Sequence, residues 1–299
     1  MNHTKLNVIG LSKVWLGFSA ILMLVSIVSV AVFGLNLGID FTGGSLIEVQ
    51  SDNRPASLEV TSKLSEFGFS TLVQESDDDK LIIRLGQINT DEHEQILGIL
   101  NENYGQMEEL QFEFVGPVIG EELKKKSAGA IVLLLALIVL YVAWTFRKVS
   151  KPIASWKYGL LTIIAALHDI ILPIGIFAVL GKLYGYQVDT AFVAALLTIL
   201  GYSINDTIVV FDRTRENLIS NRHSDASFGD IVNKSVQQSF ARSINTSLTT
   251  LLVLLAIFFF GGETTKPFVL ALIVGIVSGA YSSIFVASPL LVIWNKMTK

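Results

Sequence analysis

Six stretches of about twenty apolar residues constrain this chain more than any other feature, at about 14–35, 127–146, 157–180, 188–211, 241–260 and 268–293. A hydrocarbon core takes about 20 helical residues to cross, so each stretch is a candidate membrane span. Backbone polar groups in lipid must be satisfied within the segment, which selects helices. Composition agrees: 51% of the 299 residues are hydrophobic and 16% are charged. The first stretch is too long, and too free of a small-residue cleavage site, for a signal peptide, and reads as a retained anchor. The chain has no cysteine, which excludes disulfides and thiolate metal sites.

Charge is segregated along the chain. Residues 38–123 hold 18 acidic against 4 basic residues, a net of −14, whereas the rest holds 18 basic against 8 acidic. The basic residues gather at Lys5 and Lys13, at Arg147, Lys148, Lys151 and Lys157, at Arg213, Arg215, Arg222 and Lys234, and at Lys296 and Lys299. These are the termini and alternate loops, so the positive-inside rule puts both termini in the cytosol. Lys124–Lys126 end a long translocated segment, where that rule has little force, and read as a headgroup-level anchor.

The long segment after the first span reads as a small folded domain. Strand candidates are Ser45–Ser51, Phe69–Glu75, Lys80–Leu85 and Leu110–Val115, with a turn at Asp77–Asp79. Helix candidates run from Pro55 to about Phe67 and, capped by Thr90 or Asp91, to about Tyr104. The order β-α-β-β-α-β is that of a ferredoxin-like fold. Leu46, Ile47, Val49, Leu81, Ile83, Phe112 and Phe114 are its expected core. The expected fold is a polytopic α-helical membrane protein of six spans with an α+β ferredoxin-like outer domain. Its parts are residues 1–36 (tail and first span), 37–126 (outer ferredoxin-like domain) and 127–299 (a five-span bundle).

One tract, Gly201–Asn217, places Asp206 inside the fourth span. A carboxylate at the centre of a membrane helix costs roughly 2.5–3.5 kcal/mol on insertion scales, so such a residue is a functional candidate. At about 100° per residue, Tyr202, Ser203 and Asp206 share a face. On the fifth span Arg242, Asn245, Thr246 and Thr249 share another, and Arg242 is expected near the cytosolic end, within reach of Asp206. The opposed stripes suggest a polar contact between the two helices, either a titrating relay or a static ion pair that fixes packing. His168 and Asp169 lie on the third span, with Thr162 on the Asp169 face. For His168, Asp169, Ser203, Asn205, Asn245 and Thr246 two roles stay open, lining an ion path or packing. Asp212, Arg213, Arg215 and Glu216 read as interfacial charges at the span exit.

Three motifs carry a family resemblance: Leu37-Gly-Ile-Asp-Phe-Thr-Gly-Gly44, the Gly201–Asn217 tract and Arg242-Ser-Ile-Asn-Thr-Ser247. Together with the six-span layout they resemble the SecF family, membrane subunits that work with SecD beside the bacterial protein-export channel, within the RND superfamily. The resemblance implies half of an RND-type bundle in the bacterial inner membrane. It implies a SecD-like partner half, the Sec channel and a translocating unfolded polypeptide as partners. Ion flow down a proton or sodium gradient would then drive movements of the outer domains, with Asp206 and Arg242 in the ion pathway. In the first motif, Gly38, Gly43 and Gly44 permit close backbone approach, and Asp40 is expected to cap or bond locally, so the motif reads as a structural hinge.

Two other functions compete. One is half of an RND-type exporter of lipids or small molecules. The other is an intramembrane aspartyl protease, which needs two carboxylates sharing a site. Asp169 and Asp206 qualify only if their helices bring them together, and the usual Gly-x-Gly-Asp motif is absent. No phosphate loop, zinc motif or nucleophile elbow is present. The sequence therefore points to a non-enzymatic transport subunit with no cofactor, no metal and no nucleic-acid partner, energised by an ion gradient.

Overall fold

The computed structural model describes residues 7–51, 55–76, 79–146, 154–221 and 225–297. Lys5, Asp77, Asp78, Arg147, Lys148, Lys151, Arg222 and Lys299, named above for charge or as a turn, lie outside them. The chain divides into two compact units. One gathers the described parts of Met1–Leu35, Ala130–Leu183 and Ala191–Lys299, the other those of Asn36–Gly129 and Tyr184–Thr190.

The first unit is built from long helices: α1 (Ser12–Phe33), the greater part of α5 (Pro117–Thr145), α6 (Ser155–Tyr184), α7 (Thr190–Ser220), α8 (Phe228–Phe260) and α9 (Lys266–Ser282). A π-helical turn, Ser283–Ala287, joins α9 to α10 (Ser288–Met297), so that Lys266–Met297 runs as one span. Six helices among the described residues are thus long and apolar enough to cross a membrane. The burial of α1 is inverted relative to a soluble protein. The buried residues of α1 are Ser19, Ser26 and Ser29, while Ile21 and Leu24 are each 62% exposed. Lipid solvates apolar side chains as well as a protein core does, so helices associate through small residues that let backbones approach. Glycines mark these contacts. A Cβ on Gly175 of α6 would lie 2.3 Å from that of Ser26, and one on Gly279 of α9 would lie 3.0 Å from that of Ser203. On α8, Ser235, Ser239, Ser243 and Ser247 recur every fourth residue and are all buried.

In the second unit, β1 (Gly44–Gln50), α3 (Ser57–Glu66), β2 (Thr71–Ser76), β3 (Lys80–Leu85), α4 (Thr90–Tyr104) and β4 (Glu108–Val115) follow in the expected order. A short helix, α2 (Ile39–Thr42), precedes them. The sheet order is β2-β3-β1-β4 with every neighbour antiparallel, the ferredoxin-like arrangement. Helix α4 is capped by Asn89, not by Thr90 or Asp91. Its side chain accepts from Glu92 N–H at 2.9 Å, and Glu92 accepts from Asn89 N–H at 2.8 Å, a complete capping box. Ile47, Val49, Leu81 and Ile83 from the sheet meet Val60 and Leu64 of α3 and Ile96, Ile99 and Leu100 of α4.

Phe112 and Phe114 are not in that core, being 41% and 54% exposed, and Leu46 is only half-buried. The cause is topological. Strand β4 is an edge strand paired only with β1, so Phe112 stands in register beside Ile47 yet beyond most of the helix cover. Its ring stacks on His93 at 4.2 Å.

The Leu37–Gly44 motif is held by residues far away in sequence. Leu37 bridges Val188, Gly38 N–H donates to Val188 O at 2.9 Å, and Val188 N–H donates to Asn36 O at 2.8 Å. Asp40, expected to bond locally, instead accepts from the N–H and the hydroxyl of Thr190, at 2.9 and 2.5 Å. Gly44 has a φ of 136°, and a Cβ there would come within 2.6 Å of Leu85 O, so only glycine fits. Nearby, Arg84 Nη1 donates to Gln74 Oε1, and Gln74 donates to Tyr184 O at 3.2 Å. Burial draws the Arg84 guanidinium down from its ordinary pKa, and the charge of Asp189 opposes that shift.

Candidate functional site

Two carboxylates are buried among the helices of the first unit, and their surroundings differ sharply. Asp169 on α6 is fully buried. Its Oδ1 accepts from Ser278 Oγ at 2.7 Å and lies 2.9 Å from His168 Nδ1. Its Oδ2 accepts from Ser203 Oγ at 2.5 Å and from Ser282 Oγ at 2.6 Å. An ionised carboxylate offers about four acceptor sites, and here all four are used. The donors come from α6, α7 and α9, so Asp169 ties three helices together. His168 is also buried, with its ring 6.2 Å from that of Tyr281, and its Nε2 has no partner among the described residues. Thr162 points its hydroxyl back to Tyr158 O of its own helix rather than to Asp169. Ser278 Oγ stands 3.4 Å from His168 Nδ1 but closer to Asp169, so the cluster lacks the serine-to-imidazole donation of a hydrolase triad.

Asp206 on α7 is 3% exposed, and its one hydrogen bond among the described residues is from Ser247 Oγ at 3.5 Å. That is at the outer limit for such a bond. Buried polar groups are almost always well bonded, so an under-satisfied buried carboxylate requires an explanation. Asp169 and Asp206 have separate donors, and no hydrogen bond among the described residues joins them, as a shared-proton dyad would require.

The expected pairing of polar stripes takes a different form. The face of α8 that meets α7 carries Ser235, Gln238, Ser247 and Thr250. Asn217 donates to Ser235 and Gln238 at 2.8 Å each, and Tyr202 OH lies 3.2 Å from Thr250 Oγ1. Arg242, Asn245 and Thr249 are exposed, and Thr246 bonds Arg242 O of its own helix. Among the described residues no ion pair or hydrogen bond joins Arg242 to Asp206. Ser235 and Ser247 are among the residues of α8 that bond to α7, while Arg242 is exposed. Asn205 is exposed on α7 as well. The exit charges form half-exposed pairs, Arg213–Glu216 at 2.5 Å and Arg215–Asp212 at 2.8 Å, of the kind that adds little stability.

Ser247, Ser278 and Ser282 are site residues whose role sequence reading misses. Serines in an apolar helix read as small packing residues, and only the four-residue spacing of Ser278 and Ser282 beside Gly275 and Gly279 hints at one contact face.

Six spans, an α+β domain after the first of them and buried carboxylates between the helices define a polytopic α-helical membrane protein with an inserted α+β domain. Residues 96–297 match the family model for the protein export membrane protein SecD/SecF, C-terminal, and residues 28–53 match the SecD/SecF GG motif. The protein translocase subunit SecF of Thermobaculum terrenum is 44% identical over 290 residues, covering 93% of this chain and 90% of that one. The SecF subunit of Anaerolinea thermophila is 37% identical, covering 97% and 94%. The crystal structure of SecDF, a translocon-associated membrane protein from Thermus thermophilus, superposes with a TM-score of 0.87 at 34% identity over 98% of this chain, which spans 39% of the SecDF chain. The chain belongs to the SecF family, and it is a multi-pass inner-membrane protein.

Proposed function

We propose that this chain is the SecF-type half of an ion-driven complex that assists protein translocation, that it pairs with a SecD-like half beside the Sec channel, and that it performs no catalysis of its own. The observation that carries this reading is the contrast between the two carboxylates. Asp169 has its full set of donors and suits a structural post. Asp206, with one long hydrogen bond, is open to a proton or a sodium ion, and neutralising it removes the cost of a buried charge. Arg242 balances that charge from outside the α7–α8 contact.

The exposed polar residues support a partner half. Asn205, Arg242 and Asn245 lie on outward faces of apolar spans, where polar groups are costly unless protein or water covers them. A second half packed against these faces supplies that cover. His168, Asp169 and Ser203 are assigned to packing, and Asn245 and Thr246 to the border of the ion path. Asp40 holds the first residue of α7, the helix that bears Asp206, which fits a structural role for the Leu37–Gly44 motif.

The test is export in inverted membrane vesicles containing the partner half and the channel, with proton and sodium gradients collapsed separately. Stimulation is expected to disappear with one of the two. Stimulation that survives the loss of both removes the gradient from the mechanism.

Both termini are proposed to be cytosolic and the acidic domain periplasmic, from the distribution of Lys and Arg. A reporter fused at Asp78 should then read as outside, and reporters at His223 and Lys299 as inside. A cytosolic signal at Asp78 reverses the orientation. These three fusion points lie outside the described residues.

A further inference from the structure

A polar cleft of about 1300 Å³ opens among the start of α1, the start of α8 and the end of α10. Lys13, Lys234 and Lys296 line it, one from each helix, and all three are exposed. None of them forms an ion pair among the described residues. The one acidic residue lining the cleft, Asp230, is engaged by Ser227 Oγ at 2.6 Å in the cap of α8. The cleft therefore carries three positive charges against one negative, with no internal partner for the positive ones among the described residues.

Its depth in the membrane follows from the tryptophans. The chain has four, Trp15, Trp144, Trp156 and Trp294. They occupy the first turn of α1, the last turn of α5, the first turn of α6 and the end of α10. Successive spans alternate in direction, so all four stand at one end of the helices. Tryptophan concentrates at the headgroup level of a bilayer. Trp156 and Trp294 meet at 5.9 Å, and Lys157 lies over both rings at 5.8 and 5.7 Å. The lysine cleft lies at this same end. Its rim includes Leu11 and Val14, apolar residues more than half exposed and continuous with the outward face of α1.

We propose that this cleft binds the phosphate of an anionic phospholipid headgroup, with the acyl chains lying along the exposed face of α1. Basic pockets between membrane helices suit such headgroups, because each lysine gains from the phosphate charge in a region of reduced water. The apolar rim favours a lipid over a free phosphate ion, which has nothing to place there.

The test uses the full chain purified in detergent, titrated with phosphatidylglycerol and, separately, with inorganic phosphate, bound species being counted by native mass spectrometry. The variant Lys13→Gln/Lys234→Gln/Lys296→Gln is compared with Lys124→Gln/Lys125→Gln/Lys126→Gln, which removes the same charge at the other end of α5. Phosphatidylglycerol binding is expected to weaken about a hundredfold in the first variant, the effect of three lysines at a charged surface, and to stay within about threefold of wild type in the second. Equal losses in both variants, or no loss in the first, overturn the site. Inorganic phosphate that binds as tightly as the lipid overturns the lipid as its occupant.

Discussion

Asp206→Asn should leave the chain at wild-type abundance and assembled with its partner half, yet abolish gradient-driven stimulation of export. Asparagine keeps the size of the side chain and can still accept from Ser247, whose hydroxyl lies 3.5 Å from Oδ2. A carboxylate this poorly bonded contributes little to packing, and replacing a buried charge by a neutral group is often neutral or stabilising. Stability therefore should not fall. What disappears is a group that can take up and release a cation. Normal stimulation by the Asp206→Asn variant would sink the assignment of the ion path to this helix. Arg242→Lys divides the remaining possibilities. Lysine keeps the charge but not the planar fork. Because no ion pair joins Arg242 to Asp206 among the described residues, simple charge balance predicts that the lysine variant retains partial stimulation, and complete loss would mean that the guanidinium makes a planar contact in the working complex.

The reach of sequence reasoning here has a physical boundary. Spans and strands are legible because their signal is local: Lys80–Leu85 is a short β-friendly run after a turn, and the observed strand has those same bounds with burial alternating along it. The cap of α4 is not, because Asn89, Thr90 and Asp91 are all capping types, and the choice depends on which of them holds extended backbone. Phe112 and Phe114 do share a face, but alternation cannot reveal that their strand is at the sheet edge. The same limit acts in the spans. Helical spacing groups Arg242 with Asn245 and Thr249, yet it gives only angles within one helix, not the direction in which a neighbour lies. Asp206 is legible because a carboxylate is conspicuous in an apolar run. Ser247, Ser278 and Ser282 are not, since a serine that donates to a buried carboxylate and one that merely permits close packing look alike in sequence.

Asp169→Ala should have the opposite signature to Asp206→Asn: a chain that fails by instability. The substitution removes the acceptor of Ser203, Ser278, Ser282 and His168 in one step and leaves four buried donors from three helices without it. Interhelical hydrogen bonds in a bilayer average about 0.6 kcal/mol, so the three from Ser203, Ser278 and Ser282 amount to about 1.8 kcal/mol before any cavity is counted. Part of this is recoverable, because Ser282 Oγ already stands 3.3 Å from Gly279 O and can turn to its own helix. His168 Nδ1 keeps only Ser278 Oγ nearby, at 3.4 Å, and its Nε2 is unpartnered among the described residues. Asp169→Asn should be intermediate. It keeps one acceptor oxygen but sets an amide donor against hydroxyls that were themselves donating. Melting in detergent, followed by size-exclusion recovery after heating, should rank wild type above Asp169→Asn and that above Asp169→Ala, with Asp206→Asn beside wild type. An Asp169→Ala protein that melts with wild type but loses gradient coupling would move Asp169 from the packing of the bundle into the ion path itself.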